Sequence, residues 1–320
     1  MVFSEGKKIQ PVDASANSQE ILLSGGSGML GSAVRQALRG RGAGVVQLVR
    51  RDPVEAGQLK WNPGASPPVE DPEPLEGLSV AIHLSGASVA AHRWTPAWKR
   101  EMWLSRVEST RALATTLAAL RQPPKTLLVA SATGIYGNRG DQLLDESSAP
   151  GQGFLADLCR EWEAAARPAV EAGIRLVHLR FGVVLGPGAG ALAKMLPLFR
   201  LGLGGRLGSG LQWMSWISLA DAGSAILFAM DTHSLTGPVN LTAPQPVTNA
   251  DFTRALGKAV RRPAVLPAPA FALRLALGAM ADEALLASAR VVPAKLGDAG
   301  FQFMYPTMDG ALDAALGTRR

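Results

Sequence analysis

Along this chain, short apolar runs alternate with longer stretches whose apolar positions recur every three or four residues. Compact runs near 21–24, 45–49, 80–84, 126–131 and 174–180 read as strands buried on both faces. Helical spacing is carried by 29–41, 97–120 and 154–172, and later by about 249–260, 268–280 and 306–316. Strand and helix in alternation predict an α/β fold, a Rossmann-like doubly wound parallel sheet covered on both faces. The segment 65–74, rich in Pro and acid, reads as a surface loop. After Gly186 the pattern changes: a glycine-rich stretch over 202–210 reads as flexible, and beyond Pro238 prolines punctuate short segments. The expected organisation is a leader over 1–19, a dinucleotide-binding domain over 20–185 to which later segments return, and a smaller substrate-side lobe over 186–320.

The first strand runs directly into Ser24-Gly25-Gly26-Ser27-Gly28-Met29-Leu30-Gly31. In a strand-to-helix turn, glycines at 25, 28 and 31 have separate uses. Gly25 permits the tight turn, Gly28 admits a pyrophosphate without a Cβ in the way, and Gly31 lets the helix pack closely. The amides of the first helical turn then face the phosphates. Ser27, Met29 and Leu30 complete the expected cradle.

The second strand ends in Arg50-Arg51. An acid at that point would select a ribose hydroxyl and repel a 2′-phosphate, whereas guanidinium pairs with phosphate through charge-assisted, bidentate hydrogen bonds. The expected cofactor is therefore NADP(H), with Asp52 the nearby acid that argues the other way.

Composition narrows the class further. With 320 residues, 47% hydrophobic and 18% charged, the chain can bury a sizeable core. No uninterrupted apolar run is long enough to span a bilayer and the first residues have no signal-peptide core, so a cytoplasmic protein without membrane attachment is expected. A single cysteine, Cys159, leaves no internal disulfide, and four scattered histidines argue against a metal site. The net charge of +6 is spread along the chain, with pairs only at Arg50-Arg51, Arg261-Arg262 and Arg319-Arg320, so no nucleic-acid stripe is expected.

Beyond these residue-level readings, the chain resembles the extended short-chain dehydrogenase/reductases, and within them the epimerase-like subgroup that ends in a DUF1731 domain. The resemblance covers about 20–317. It rests on the glycine turn, on His83-Leu84-Ser85-Gly86-Ala87, and on Ser131-Ala132-Thr133-Gly134-Ile135-Tyr136-Gly137. It rests also on Arg93-Trp94-Thr95, Ser105-Arg106-Val107, the run from Arg180 to Gly186, the run from Gly208 to Ile217, and Asn240 to Pro244. From about 267 onward, Pro267 to Phe271, Ser288 to Pro293 and Gly300-Phe301 look like DUF1731. The resemblance implies that Leu84, Ser85, Gly86 and Ala87 lie beside the cofactor and that Ser131 sits at the reacting end, touching both cofactor and substrate.

The resemblance also exposes two departures. The wider family uses a tyrosine as acid/base and a lysine four residues later that lowers its pKa; Phe154 and Leu158 hold those positions here. Ser131 and Tyr136 are left as the catalytic candidates, and for Tyr136 two readings stand open: a proton donor at the nicotinamide, or a phenol packed under its loop. The family's nucleotide-sugar epimerases carry a diphosphate-binding arginine in the segment matching 212–217, where this chain has Trp213-Met214-Ser215-Trp216, so a nucleotide sugar is disfavoured; a smaller or flatter apolar ligand stays open, as does packing of the two tryptophans in the core or lobe. His83 reads as structural or cofactor-side, Cys159 as a buried hydrophobe, and Asp145-Glu146 as solvated loop acids.

The expected function is an NADP(H)-dependent oxidoreductase or epimerase-like enzyme for an unidentified small molecule. The rival is a cofactor-binding protein that has lost catalysis and works through a protein partner, with cell division as the process associated with the subgroup. A homodimer is compatible with either.

Overall fold

The computed structural model describes residues 20–317; the expected leader lies outside them. Seven strands form one parallel sheet: β1 (Glu20–Ser24), β2 (Gly44–Val49), β3 (Gln58–Lys60), β4 (Val80–His83), β5 (Thr126–Ala132), β6 (Arg175–Phe181) and β7 (Gly237–Leu241). Their spatial order is β7-β6-β5-β4-β1-β2-β3. The chain leaves β1 toward β2 on one side and returns through β4 on the other, so the strand order reverses between β1 and β4. A crevice at the carboxyl ends of these two strands is where such sheets receive ligands.

The five expected strands are present, and the two additional ones are the sheet edges. β3 has only three residues, and β7 carries Pro238, which an edge strand tolerates because it needs no ladder bond from that nitrogen. The centre is apolar in both directions: Ile21, Leu22 and Leu23 are fully buried, as are Ala81, Ile82 and Leu128.

Helices cover both faces: α1 (Met29–Gly40), α2 (Pro96–Trp103), α3 (Ser109–Ala118), α4 (Phe154–Ala164), α5 (Arg167–Glu171), α6 (Gly190–Arg200) and α7 (Leu219–Asp231). Beyond β7 come α8 (Asn249–Ala259), α9 (Ala270–Leu277), α10 (Ala294–Asp298) and α11 (Met308–Leu316). The single helix expected over 97–120 is divided by a π-helical turn at Leu104–Glu108. That expected over 154–172 is divided before Pro168, whose ring and missing N–H disfavour an uninterrupted helix.

From the later chain, α7 packs on α1, with Arg41 and Asp231 paired at 2.7 Å, and β7 joins the sheet, so these parts of the segment after Gly186 lie in the dinucleotide-binding layer. One expectation changes: the glycine-rich stretch is held closely rather than loose. Gly208 donates to the Ala268 carbonyl at 2.9 Å, and a Cβ at Gly205 would fall 1.7 Å from the Leu266 carbonyl oxygen. Its glycines permit two backbone segments to touch. A second core around Leu192, Phe199, Trp216, Phe252 and Leu312 joins α6, α8 and α11. Among the described residues no helix is long and apolar enough to cross a membrane, and no group of three or more His, Cys, Asp or Glu is placed to hold a metal ion.

Candidate functional site

The turn between β1 and α1 shows why each glycine stands where it does. Gly25 adopts φ +73°, and a Cβ there would meet the Leu84 carbonyl at 2.7 Å. At Gly31 a Cβ would lie 2.1 Å from the Gly25 oxygen and 2.7 Å from the Gly26 Cα. This glycine therefore seats the helix against the turn itself, closer than the helix-on-sheet contact expected. Gly28 is different: its φ of −74° suits any residue, and its Cβ would meet only the Gly25 oxygen, at 3.4 Å. Gly28 is also the N-cap of α1, no side chain caps the helix, and no acid occupies the first turn. Uncapped amides without a competing carboxylate suit a phosphate.

In front of this turn lies a cavity of about 570 Å³ at the switch point. Gly25, Gly26, Ser27 and Gly28 form one wall, and Leu84, Ser85, Gly86 and Ala87 another. Met29, Leu30 and Gly31 stand behind the first wall as the opening turn of α1. Arg50 and Arg51 lie at one end, exposed, with no hydrogen bond or ion pair to another described residue. Asp52 does not compete with them, because its carboxylate is paired with Lys60 at 2.5 Å, which holds its pKa below the ordinary range. Trp61, Trp98 and Ser105 close the cavity, and Ser105 Oγ accepts the Ala87 amide at 3.1 Å.

His83 is fully buried beneath this wall between the hydroxyls of Ser24 (2.5 Å) and Ser109 (3.3 Å). Burial pushes its pKa down to about 4, so it stays neutral and ties β1 and β4 to α3. A second cavity, about 450 Å³ between α1, α7 and α11, is lined mostly by alanine and leucine and offers no comparable set of polar groups.

The NAD-dependent epimerase/dehydratase family model matches residues 21–241, and a domain of unknown function, DUF1731, matches 268–315. The chain belongs to the NAD-dependent epimerase/dehydratase family. It is 46% identical to epimerase family protein Mb2239 of Mycobacterium bovis, covering 92% of this chain and 97% of that one. It is 37% identical to the mouse epimerase family protein SDR39U1, covering 91% and 98% respectively. The structure is similar to that of human epimerase family protein SDR39U1 with NADPH, at a TM-score of 0.85 and 31% identity, over 94% of this chain and all of that one.

Within this family member, the two expected catalytic hydroxyls are both built into one buried network. Ser131 is only 2% exposed, and its Oγ donates to Glu163 Oε1 at 2.7 Å. Glu163 receives a bidentate pair from Arg180 at 2.8 and 2.9 Å. Arg180 Nη1 donates at 2.9 Å to the fully buried Tyr136 hydroxyl, which itself donates to Asn240 Oδ1 at 2.8 Å. Burial raises the Glu163 pKa, but the Arg180 hydrogen bonds outweigh it and hold the carboxyl below its ordinary value. Burial also pushes the Tyr136 phenol above its ordinary value despite Arg180. Of the two readings for Tyr136 the geometry favours the packed phenol, and Ser131 shares that position. Neither residue lines the cavity. Cys159 lies in the same layer, its thiol pushed up to about 12 by burial and then by Glu163.

Phe154 and Leu158 begin α4, Leu158 buried and Phe154 half-buried. The structure brings to this helix two cations that no sequence motif singled out for it. Lys99 from α2 stands over the Phe154 ring, and Arg106 from the π-helical turn stands 5.1 Å from the Trp162 ring centroid. Arg106 is 9% exposed and donates only to carbonyls, those of Met102 and Ala87. Sequence spacing could not have found either, because the partners are 55 and 56 residues away.

On the DUF1731 side, Glu283 Oε2 accepts the Leu155 amide at 2.8 Å and so caps α4, whose own N-cap residue is Gly153. Trp216 is fully buried in the second core, its Nε1 bonded to the Gln245 carbonyl. Trp213 is half-buried and carries the Arg290 guanidinium 4.4 Å above its ring. The guanidinium packed on this segment thus comes from the C-terminal part of the chain. Of the two loop acids, Asp145 organises a turn with Ser147 and Ser148, but Glu146 is not solvated. It is 8% exposed, and its Oε1 accepts the amides of Asn240 and Lys295, pinning the loop to β7 and α10. A run of polar neighbours gave no sign of that burial.

Proposed function

We propose that this protein is an NADP(H)-dependent oxidoreductase or epimerase-like enzyme acting on a small molecule other than a nucleotide sugar. The observation that carries the cofactor choice is the pair of guanidiniums, Arg50 and Arg51, that line the glycine cradle's cavity without a partner among the described residues, while the adjacent Asp52 is paired with Lys60. The residues present fit the cofactor. Gly28 leaves open space where a pyrophosphate would approach, the uncapped start of α1 supplies amides, and Leu84 to Ala87 supply the opposing wall. The NADPH in the human SDR39U1 structure supports the same choice.

The cofactor would supply hydride chemistry, and the protein would bind, orient and exclude water. Ser131, Glu163, Arg180 and Tyr136 act in this scheme as a rigid underlay that fixes the end of β5. The sequestered hydroxyls are the observation behind the rival reading, a cofactor-binding protein without catalysis. The intact cradle and free guanidiniums serve both readings, and membership of the NAD-dependent epimerase/dehydratase family makes the enzyme the preferred one.

Calorimetry with NADPH and NADH tests the proposal. NADPH should bind at least about tenfold more tightly, and Arg50→Asp should remove about one to two decades of that affinity, roughly 1.5–3 kcal/mol. Equal affinities for the two cofactors in the unmutated protein would overturn it.

A further inference from the structure

A third cavity, about 550 Å³, opens on the C-terminal lobe and shares no residue with the cofactor cavity. Four cations line it: Arg206 from the glycine-rich stretch, Arg254 and Lys258 from α8, and Arg262 just beyond that helix. No Asp or Glu is among its lining residues. Two of the charges are already answered, Arg254 by Asp251 at 2.9 Å and Lys258 by Asp309 at 3.6 Å. Arg206 makes no side-chain hydrogen bond or ion pair with a described residue. Arg262 uses only its Nε, which donates to the Arg200 carbonyl at 3.1 Å, so both of its terminal amino groups are without a partner among the described residues.

The backbone that carries these two guanidiniums is fixed. The Arg206 carbonyl accepts the Ala268 amide at 2.9 Å, and Asn249 Oδ1 accepts the Leu207 amide at 2.8 Å, which holds the stretch against the start of α8. A Cβ on Gly210 would meet the Arg206 Cδ at 3.1 Å, so that glycine makes room for the arginine stem. At the other end of α8, the Arg262 amide donates to the Gly257 carbonyl at 3.0 Å and the Arg261 amide to the Lys258 carbonyl at 3.1 Å. Glycine is the usual residue at the left-handed position of such a helix ending, but Arg261 holds it here, at φ +55°. Arg261 does not line the cavity, whereas the residue after it does.

Four cations against two paired carboxylates leave a local charge of +2, carried by two guanidiniums with free N–H groups. A carboxylate has one charge and fills one such fork. A phosphate monoester dianion has two charges and three terminal oxygens, enough for both. Thr253, 5% exposed on the cavity floor, has a hydroxyl without a partner among the described residues and adds a donor. The remaining wall, Ala264, Val265 and Pro267, is apolar. Val265 is 74% exposed there, and the volume is that of a small-molecule site rather than of a bare ion.

We propose that this cavity is a second binding site, for a phosphorylated small molecule whose phosphate is held by Arg206 and Arg262 and whose body lies along Val265 and Pro267. It gives the C-terminal lobe a ligand of its own, separate from the cofactor and independent of the cofactor reading.

The test uses the full chain with saturating NADPH, which fills the glycine cradle, and phenyl phosphate as the probe in calorimetry. One equivalent should bind, more tightly than inorganic phosphate and more weakly as salt rises. Arg206→Gln should weaken it about threefold or more, and Arg206→Gln with Arg262→Gln about tenfold or more. An unchanged melting temperature in Arg206→Gln separates this loss from misfolding. Arg261→Gly removes an equal charge beside the cavity and suits the left-handed backbone, so it should leave the affinity within about twofold. Absence of saturable binding, unchanged affinity in the double variant, or an Arg261→Gly loss equal to that of Arg206→Gln would overturn the site. Inorganic phosphate binding as tightly as phenyl phosphate would overturn the organic body. RNA binding through the same residues, without phenyl phosphate binding, would make this face a polyanion track and refute the proposal. Because the loss is read at Arg206 and Arg262, the outcome does not depend on whether NADPH fills the cradle.

Discussion

Replacing Gly28 and Gly31 separately should divide cofactor binding from folding, although the two glycines are only three residues apart. At Gly31 an added Cβ would lie 2.1 Å from the Gly25 oxygen and 2.8 Å from its carbonyl carbon. These are backbone atoms of a turn that also packs against Leu84, so neither side can yield alone. Overpacking of this kind costs about 1–3 kcal/mol, and Gly31→Ala should lower the melting temperature by roughly 2–5 °C. Gly28 has φ −74°, ψ 170° and no atom nearer than 3.4 Å to its Cβ position. Gly28→Val should therefore cost only what a poorer N-cap residue costs, about 1 kcal/mol. Its two methyl groups would nevertheless stand in the approach to the uncapped α1 amides. Loss of two decades in NADPH affinity, about 2.7 kcal/mol, is the expected result. Thermal denaturation and calorimetry on both variants provide the check. A Gly28→Val protein that stays folded and binds NADPH normally would show that the turn is not the pyrophosphate cradle. A Gly31→Ala protein of undiminished stability would show that the helix does not depend on that close approach.

Two further outcomes follow from the buried polar groups. Tyr136→Phe removes the acceptor for Arg180 Nη1 and the donor to Asn240, so stability should fall by about 1–3 kcal/mol while NADPH affinity holds. Unchanged denaturation together with a large loss of turnover would return Tyr136 to the chemistry. For His83 the folded-state pKa, about 4, lies below the ordinary 6.5, so the unfolded chain binds more protons between these values and stability declines as pH falls through the window. The full contribution, present above pH 6.5, is about 3 kcal/mol. Denaturant titrations at pH 7 and pH 4.5 should show a smaller acid loss for His83→Gln than for the unmutated protein. Equal losses would refute the buried neutral imidazole.

The sequence by itself determined the layers and the cradle, because both are written in contiguous residues. Ile21 to Leu23 are apolar at every position since a central parallel strand has no solvent face. Gly25 and Gly31 stand at fixed offsets because one turn must meet a strand wall and a helix in succession, with Gly28 between them facing open space. Arg50 follows the end of the second strand directly, so its place at the crevice was legible too.

Only the tertiary structure decided what lies across the gap from these elements. Ser131, Glu163, Arg180, Tyr136 and Asn240 come from five separate positions in the chain, and burial leaves each polar group dependent on the next. Residue type alone could not tell a reactive hydroxyl from one already bonded. The same holds for Lys99 over Phe154, Arg290 over Trp213 and Glu283 at the start of α4. Helical and strand periodicity reports which face of an element is apolar. Which charge arrives over that face is set by how the sheet, the π-helical turn and the DUF1731 segment fold against one another.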